Sequence, residues 1–176
     1  MTPIAPDSEF SRIIDIRHID DRPIVLTATP EECLALARRF GIVSVGPMSA
    51  TLTLLRDGPV IRANGRLQAA IIQSCAISAD DLPVTINEPL TLRFVPAVGD
   101  KAPTDDEIEL TEEDCDEIEF SGERFELGEA VAQSLALAID PFATGPNADL
   151  VRKAVGLLDE NAAGPFAALA ALKGKG

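Results

Sequence analysis

Met48-Ser49-Ala50-Thr51-Leu52-Thr53-Leu54 alternates apolar and hydroxyl side chains without interruption. That period of two belongs to a strand with one buried and one wet face. Asp57-Gly58 follows it, a dipeptide suited to a tight hairpin turn. Beyond the turn, Asn64-Gly65 reads either as a second turn or, since Pro59–Ala63 is short, as a bulge inside one long strand. Leu67, Ala69, Ile71, Gln73, Cys75 and Ile77 then share one face of a further strand. Val84 and Ile86 lead to Leu90, Leu92 and Phe94, with Glu88-Pro89 read as a break between them. Strands joined in succession by short turns predict an antiparallel sheet, strongly twisted or barrel-like.

Working outward, the segment before the sheet carries a helix signature. Thr29-Pro30-Glu31-Glu32 places a hydroxyl N-cap, proline in the first turn and Glu at N3, which is a capping box. Cys33, Leu36, Ala37 and Phe40 recur at helical spacing, and Gly41 stops the helix after Arg38-Arg39. Upstream, Phe10–Ile19 reads as a first strand. Downstream, Ile118–Phe120 is expected as a last short strand, and Leu127, Val131, Leu135 and Ala138 define one face of a helix ended by Pro141. A weaker helix is expected from Asn147 to about Glu160, and a short apolar-faced one from Pro165. The expected class is therefore α+β, with a helix from the N-terminal half and C-terminal helices packed on the sheet. Residues 1–9 read as a loose lead-in, 10–141 as one domain, and 142–176 as a C-terminal extension with short helices.

Charge divides the 176-residue chain unevenly. Lys and Arg number 15 against 29 Asp and Glu, a net −14. Residues 100–123 hold twelve acids against Lys101 alone, so that segment carries −11 and the rest of the chain −3. A block of like charge reads as a solvated, self-repelling loop or as a docking site for a basic partner. Its candidate partner-binding residues are Asp105, Asp106, Glu107, Glu109, Glu112, Glu113, Asp114, Asp116 and Glu117. An acidic chain with 4% aromatics, all of them Phe, disfavours a simple basic nucleic-acid binder and an aromatic stacking platform. DNA and membranes are not expected as partners. No apolar run approaches the length of a membrane helix, and the first residues carry no secretory pattern. Three scattered cysteines suit a reducing cytoplasm.

Catalytic chemistry finds little support. His18 is the single histidine, beside Asp20 and Asp21, and reads as a surface residue paired with a carboxylate. Cys75 reads as a buried structural thiol, with nothing near it in sequence to lower its pKa. No C-x-x-C, calcium-loop or glycine-rich phosphate-loop spacing occurs, so neither a metal nor a cofactor is expected.

An ordered set of short motifs carries a family resemblance. After Gly65 come Leu67-Gln68-Ala69-Ala70-Ile71-Ile72-Gln73-Ser74-Cys75, Leu92-Arg93-Phe94-Val95-Pro96 and Asp116-Glu117-Ile118-Glu119. Phe125-Glu126-Leu127-Gly128-Glu129-Ala130-Val131, Leu135-Ala136-Leu137-Ala138 and the tail Pro165-Phe166-Ala167-Ala168-Leu169-Ala170-Ala171-Leu172-Lys173 complete it. In that order, across residues 42–173, the chain resembles the bacterial YceD family, the large-ribosomal-RNA-subunit accumulation proteins. Many members carry C-x-x-C where this chain has Cys75-Ala76-Ile77-Ser78, and a further Cys after the Leu-rich helix. Ser78 replaces the second thiol here and residues 141–149 contain no cysteine, so a zinc-like site does not carry over.

The resemblance implies a cytoplasmic, non-catalytic factor needed for accumulation or processing of large-subunit ribosomal RNA. Two modes of action are expected. In one, the acidic loop docks a basic ribosomal protein or assembly factor. In the alternative, Arg62, Arg66 and Arg93 on the sheet touch ribosomal RNA directly. The Phe166, Leu169 and Leu172 stripe either caps the body or docks in a partner's groove. A small thiol-dependent enzyme built on Cys75 is the rival from a different class.

Overall fold

The alternation around Leu52 builds the centre of the fold. The computed structural model describes residues 8–97 and 117–156. It is α+β, with a twisted five-stranded sheet, a two-stranded sheet and helices packed on the larger one. The strands are β1 (Ile13–Asp15), β2 (Ile24–Thr27), β3 (Ser44–Asp57), β4 (Val60–Ser74), β5 (Asp81–Pro96), β6 (Glu117–Phe120) and β7 (Arg124–Glu126). The helices are α1 (Pro30–Phe40), α2 (Leu127–Ala138) and α3 (Ala148–Ala154). The large sheet runs β2-β3-β4-β5-β6, and β1 pairs with β7 apart from it. β2 and β6 are its edges, so no barrel closes among the described residues.

Met48, Ala50, Leu52 and Leu54 are buried, as the alternation requires, against Leu67, Ala69, Ile71 and Phe94 from the neighbouring strands. α1 and α2 supply Leu36, Ala37, Leu127, Val131 and Leu135 to that same cluster, so both helices cover one face of the sheet. Thr29 accepts from the Glu32 amide at 3.2 Å while Glu32 accepts from the Thr29 amide at 2.8 Å, completing the capping box. Gly41 ends α1 at φ +66°, a conformation that glycine adopts without a Cβ penalty.

Several expectations are corrected. β5 runs unbroken through Pro83 and Pro89. β6 pairs only with Arg93–Pro96, so the earlier part of β5 is an edge among the described residues. The two prolines are six residues apart and withhold their missing N–H groups on the same side, which only an edge tolerates. Asn64-Gly65 is neither turn nor bulge. β4 stays in register through it, and the irregularity of the sheet falls between Val45 and Met48 of β3. Glycine at 65 answers a close approach, because a Cβ there would lie 1.9 Å from the Thr51 carbonyl oxygen. β6 is parallel to β5, which breaks the expected antiparallel order.

Phe10–Ile19 forms only the short β1 and a 3-10 turn at Ile16–His18, while β2 and β7 are additional strands. α2 ends at Ala138, two residues before Asp140-Pro141, and the next helix spans Ala148–Ala154. The segment from Phe166 to Lys173 lies outside the described residues.

Candidate functional site

The face of the sheet that no described helix covers holds the three candidate arginines. Cross-strand pairing sets Leu55 against Arg62 and Arg62 against Arg93; four residues along β4, Thr51 opposes Arg66 and Arg66 opposes Pro89. Strand parity therefore sends Arg62, Arg66 and Arg93 to one side, opposite the core. Thr51, Asn64, Gln68, Thr85, Asn87 and Thr91 share that side and are exposed. Its acids on β3, β4 and β5 stand only at strand ends, Asp57 and Asp81. In a chain of net −14 this is a segregated surface.

The three guanidinium groups differ in their pairing. Arg93 bonds Glu117 across the parallel β5–β6 step at 2.7 Å, and its buried Nε has no hydrogen-bond partner among the described residues. Thus Glu117, expected to hold a partner, and Arg93, expected to touch RNA, neutralise each other. Arg62 approaches Asp57 at 3.5 Å. Arg66 donates from Nη1 to Asn87 Oδ1 at 3.1 Å and pairs with no carboxylate among the described residues. The other acidic candidates, Asp105, Asp106, Glu107, Glu109, Glu112, Glu113, Asp114 and Asp116, lie outside the described residues.

A groove of about 970 Å³ opens at one end of this face. The first turn of α1 and the bulged stretch of β3 form its walls, with Val25, Pro47 and Met48 among its apolar lining. Gln68 and Asn87, direct cross-strand neighbours, line it with amides, and Arg66 is tied to it through Asn87.

Cys75 forms a second constellation. β4 ends at Ser74, so the thiol begins the turn into β5 and Ile77 lies beyond the strand. Cys75 is only 3% exposed. Its Sγ accepts from the amides of Ser78 and Gly145, each at 3.3 Å, and of Ile77 at 3.5 Å. Ser78, through side chain and amide, contributes most to lowering the thiol pKa to about 6; Gly145 and Ile77 add to this and burial opposes it. The Ser78 hydroxyl has one proton and also lies 2.7 Å from Asp80, so the amides are the constant donors. This overturns the expectation that nothing lowers the pKa. Gly145 is 70 residues away in sequence, which hid it. The loop after α2 is held there by further bonds, from Ala76 N–H to the Ala143 carbonyl at 2.9 Å and from Asn147 to Asp80 at 3.1 Å.

His18 is exposed and stands 4.0 Å from Asp15, rather than pairing with Asp20 or Asp21. No group of three metal-ligating side chains occurs among the described residues. No described helix is long and apolar enough to cross a membrane. No protein-family model, curated protein or solved structure matches the chain.

Proposed function

We propose that this protein is a cytoplasmic, non-catalytic factor that supports accumulation or processing of large-subunit ribosomal RNA. In this reading the acidic segment, residues 100–123, docks a basic ribosomal protein or assembly factor, and the uncovered sheet face meets RNA. The ordered motifs from Gly65 to Lys173 suggest the process. Charge segregation is the observation that carries the mechanism: −11 is concentrated in residues 100–123, while on the sheet face opposite the core β3, β4 and β5 carry acids only at their ends, Asp57 and Asp81. Opposite fields on separate surfaces let one chain approach a cationic protein and an anionic polymer, with electrostatics setting on-rate and salt sensitivity.

The thiol at Cys75 supports a different role. Three amide donors around a buried sulfur favour a structural thiolate that ties the β4–β5 turn to the loop after α2.

Affinity capture from lysate across a salt series, with and without nuclease, tests the docking reading. Deleting residues 105–117 should abolish nuclease-resistant capture of basic proteins at low salt. Undiminished capture by the deletion variant contradicts it.

A further inference from the structure

We propose that the groove beside Arg66 takes an unstacked base of single-stranded RNA while the arginines of the same sheet face hold the adjoining phosphates. The proposal deepens the RNA-contacting half of the reading above and rests on it. Three features converge on one side of the sheet. Arg66 lacks a carboxylate partner among the described residues, so its guanidinium has capacity for a phosphate oxygen. Arg62 lies four residues along the same strand face, about 13 Å away at the rise of an extended strand. No acid stands between them on that face of β4 or opposite them on β3 and β5; Asp57, 3.5 Å from Arg62, is exposed at the end of β3.

The groove supplies what a charged surface lacks. Its floor and walls are mainly aliphatic, with Val25, Ala28, Pro47 and Ala70 offering apolar contact to the faces of a planar ring. Gln68 and Asn87 meet across the β4–β5 ladder at its edge, each with an amide that can both donate to and accept from a base. About 970 Å³ exceeds what one base needs, so a nucleotide enters with its sugar. A duplex keeps its bases stacked and cannot present one, so this geometry selects single strands. It also differs from an aromatic stacking platform, since among the described residues no Phe lines the groove.

The test uses the full chain and fluorescence anisotropy at low salt. The probes are a mixed-sequence single-stranded RNA oligomer, an abasic oligomer of equal length, a duplex of equal length, and a polyglutamate peptide. The single strand should bind about tenfold more tightly than the abasic oligomer, as expected for one sequestered base. Ala70→Leu, which narrows the groove at an exposed position, should lose about tenfold on the single strand and nothing on the abasic oligomer. Gln68→Ala, which changes no volume inside the core, gives a second reading if Ala70→Leu lowers the melting temperature.

Equal binding of abasic and normal strands, or no effect of either variant, overturns the groove assignment while leaving RNA contact intact. Polyglutamate binding as tightly as RNA overturns it in favour of an acidic protein partner. Failure of all RNA probes to bind, with Arg66→Glu indistinguishable from wild type, sinks the underlying RNA reading as well.

Discussion

Replacing Gly65 with alanine should destabilise the sheet at its centre without abolishing the fold. A Cβ at 65 would stand 1.9 Å from the Thr51 carbonyl oxygen and 2.8 Å from Leu52 Cα. Both are backbone atoms of the adjacent strand, so no rotamer change relieves the contact. β3 and β4 must separate by about 1 Å at the pair Leu52–Gly65 before the contact reaches 3.0 Å. Overpacking of this kind costs about 1–3 kcal/mol, and each ladder hydrogen bond lost beside it about 1 kcal/mol. The reduced freedom of the unfolded chain returns about 0.4–1 kcal/mol, leaving a loss of about 3 kcal/mol.

Urea denaturation followed by far-UV circular dichroism measures this loss. The midpoint should fall with the slope unchanged, and the melting temperature should drop by about 6–12 °C. Gly58→Ala is the control. Gly58 sits at φ +61° in the β3–β4 turn with nothing within 4 Å, so only the left-handed backbone is strained, at about 1 kcal/mol. If Gly65→Ala costs less than Gly58→Ala, the close approach is wrong and a turn at Asn64-Gly65 becomes the better description.

Two further outcomes follow from the titrating groups. The Cys75 thiol falls from its ordinary 9.0 to about 6 in the folded protein, so it stabilises the fold fully above pH 9 and loses that contribution as pH falls toward 6. Stability should therefore rise from pH 6 to 9 in the wild type and flatten in Cys75→Ser. Native-state alkylation should remain slow despite the thiolate because the sulfur is buried; rapid labelling at neutral pH favours the thiol-enzyme rival. Glu129 is held at about 2, chiefly by the Arg39 guanidinium at 2.6 Å, with Ser8 and Gln133 adding hydrogen bonds against the cost of burial. Its stabilisation is present above its ordinary 4.5 and is lost as pH falls from there to 2. Glu129→Gln should cost about 2 kcal/mol at pH 7 and remove part of the acid transition; an unchanged acid unfolding curve contradicts the assignment.

Local chemistry made much of this fold readable. The capping box at Thr29–Glu32 and the alternation from Met48 to Leu54 each involve neighbours in sequence, and both stand as read. Pro89 misled because a proline breaks a central strand, whereas β5 at that point is an edge, a fact set by where β6 pairs. The parallel β5–β6 step depends on a connection through residues 98–116, whose acidic pattern carries no pairing information. The low pKa of Cys75 comes chiefly from Ser78, three residues on, and is deepened by the Gly145 amide, supplied by a loop far along the chain. The arginine-bearing polar face of β4 was legible by parity alone, since Arg62, Asn64, Arg66 and Gln68 alternate with Ala63, Gly65 and Leu67. The global charge of −14 concealed it. Glu117 shows the converse: counted with the acidic segment in sequence, it belongs to β6 and neutralises Arg93.

Depleting the protein from the cells that make it, and measuring the ratio of large- to small-subunit ribosomal RNA, tests the proposed role most directly. Depletion should lower the large-subunit species selectively. Wild type and Cys75→Ser should restore the ratio, whereas the 105–117 deletion and Arg62→Glu/Arg66→Glu should not. An unchanged ratio on depletion, or full rescue by both charge variants, contradicts the role.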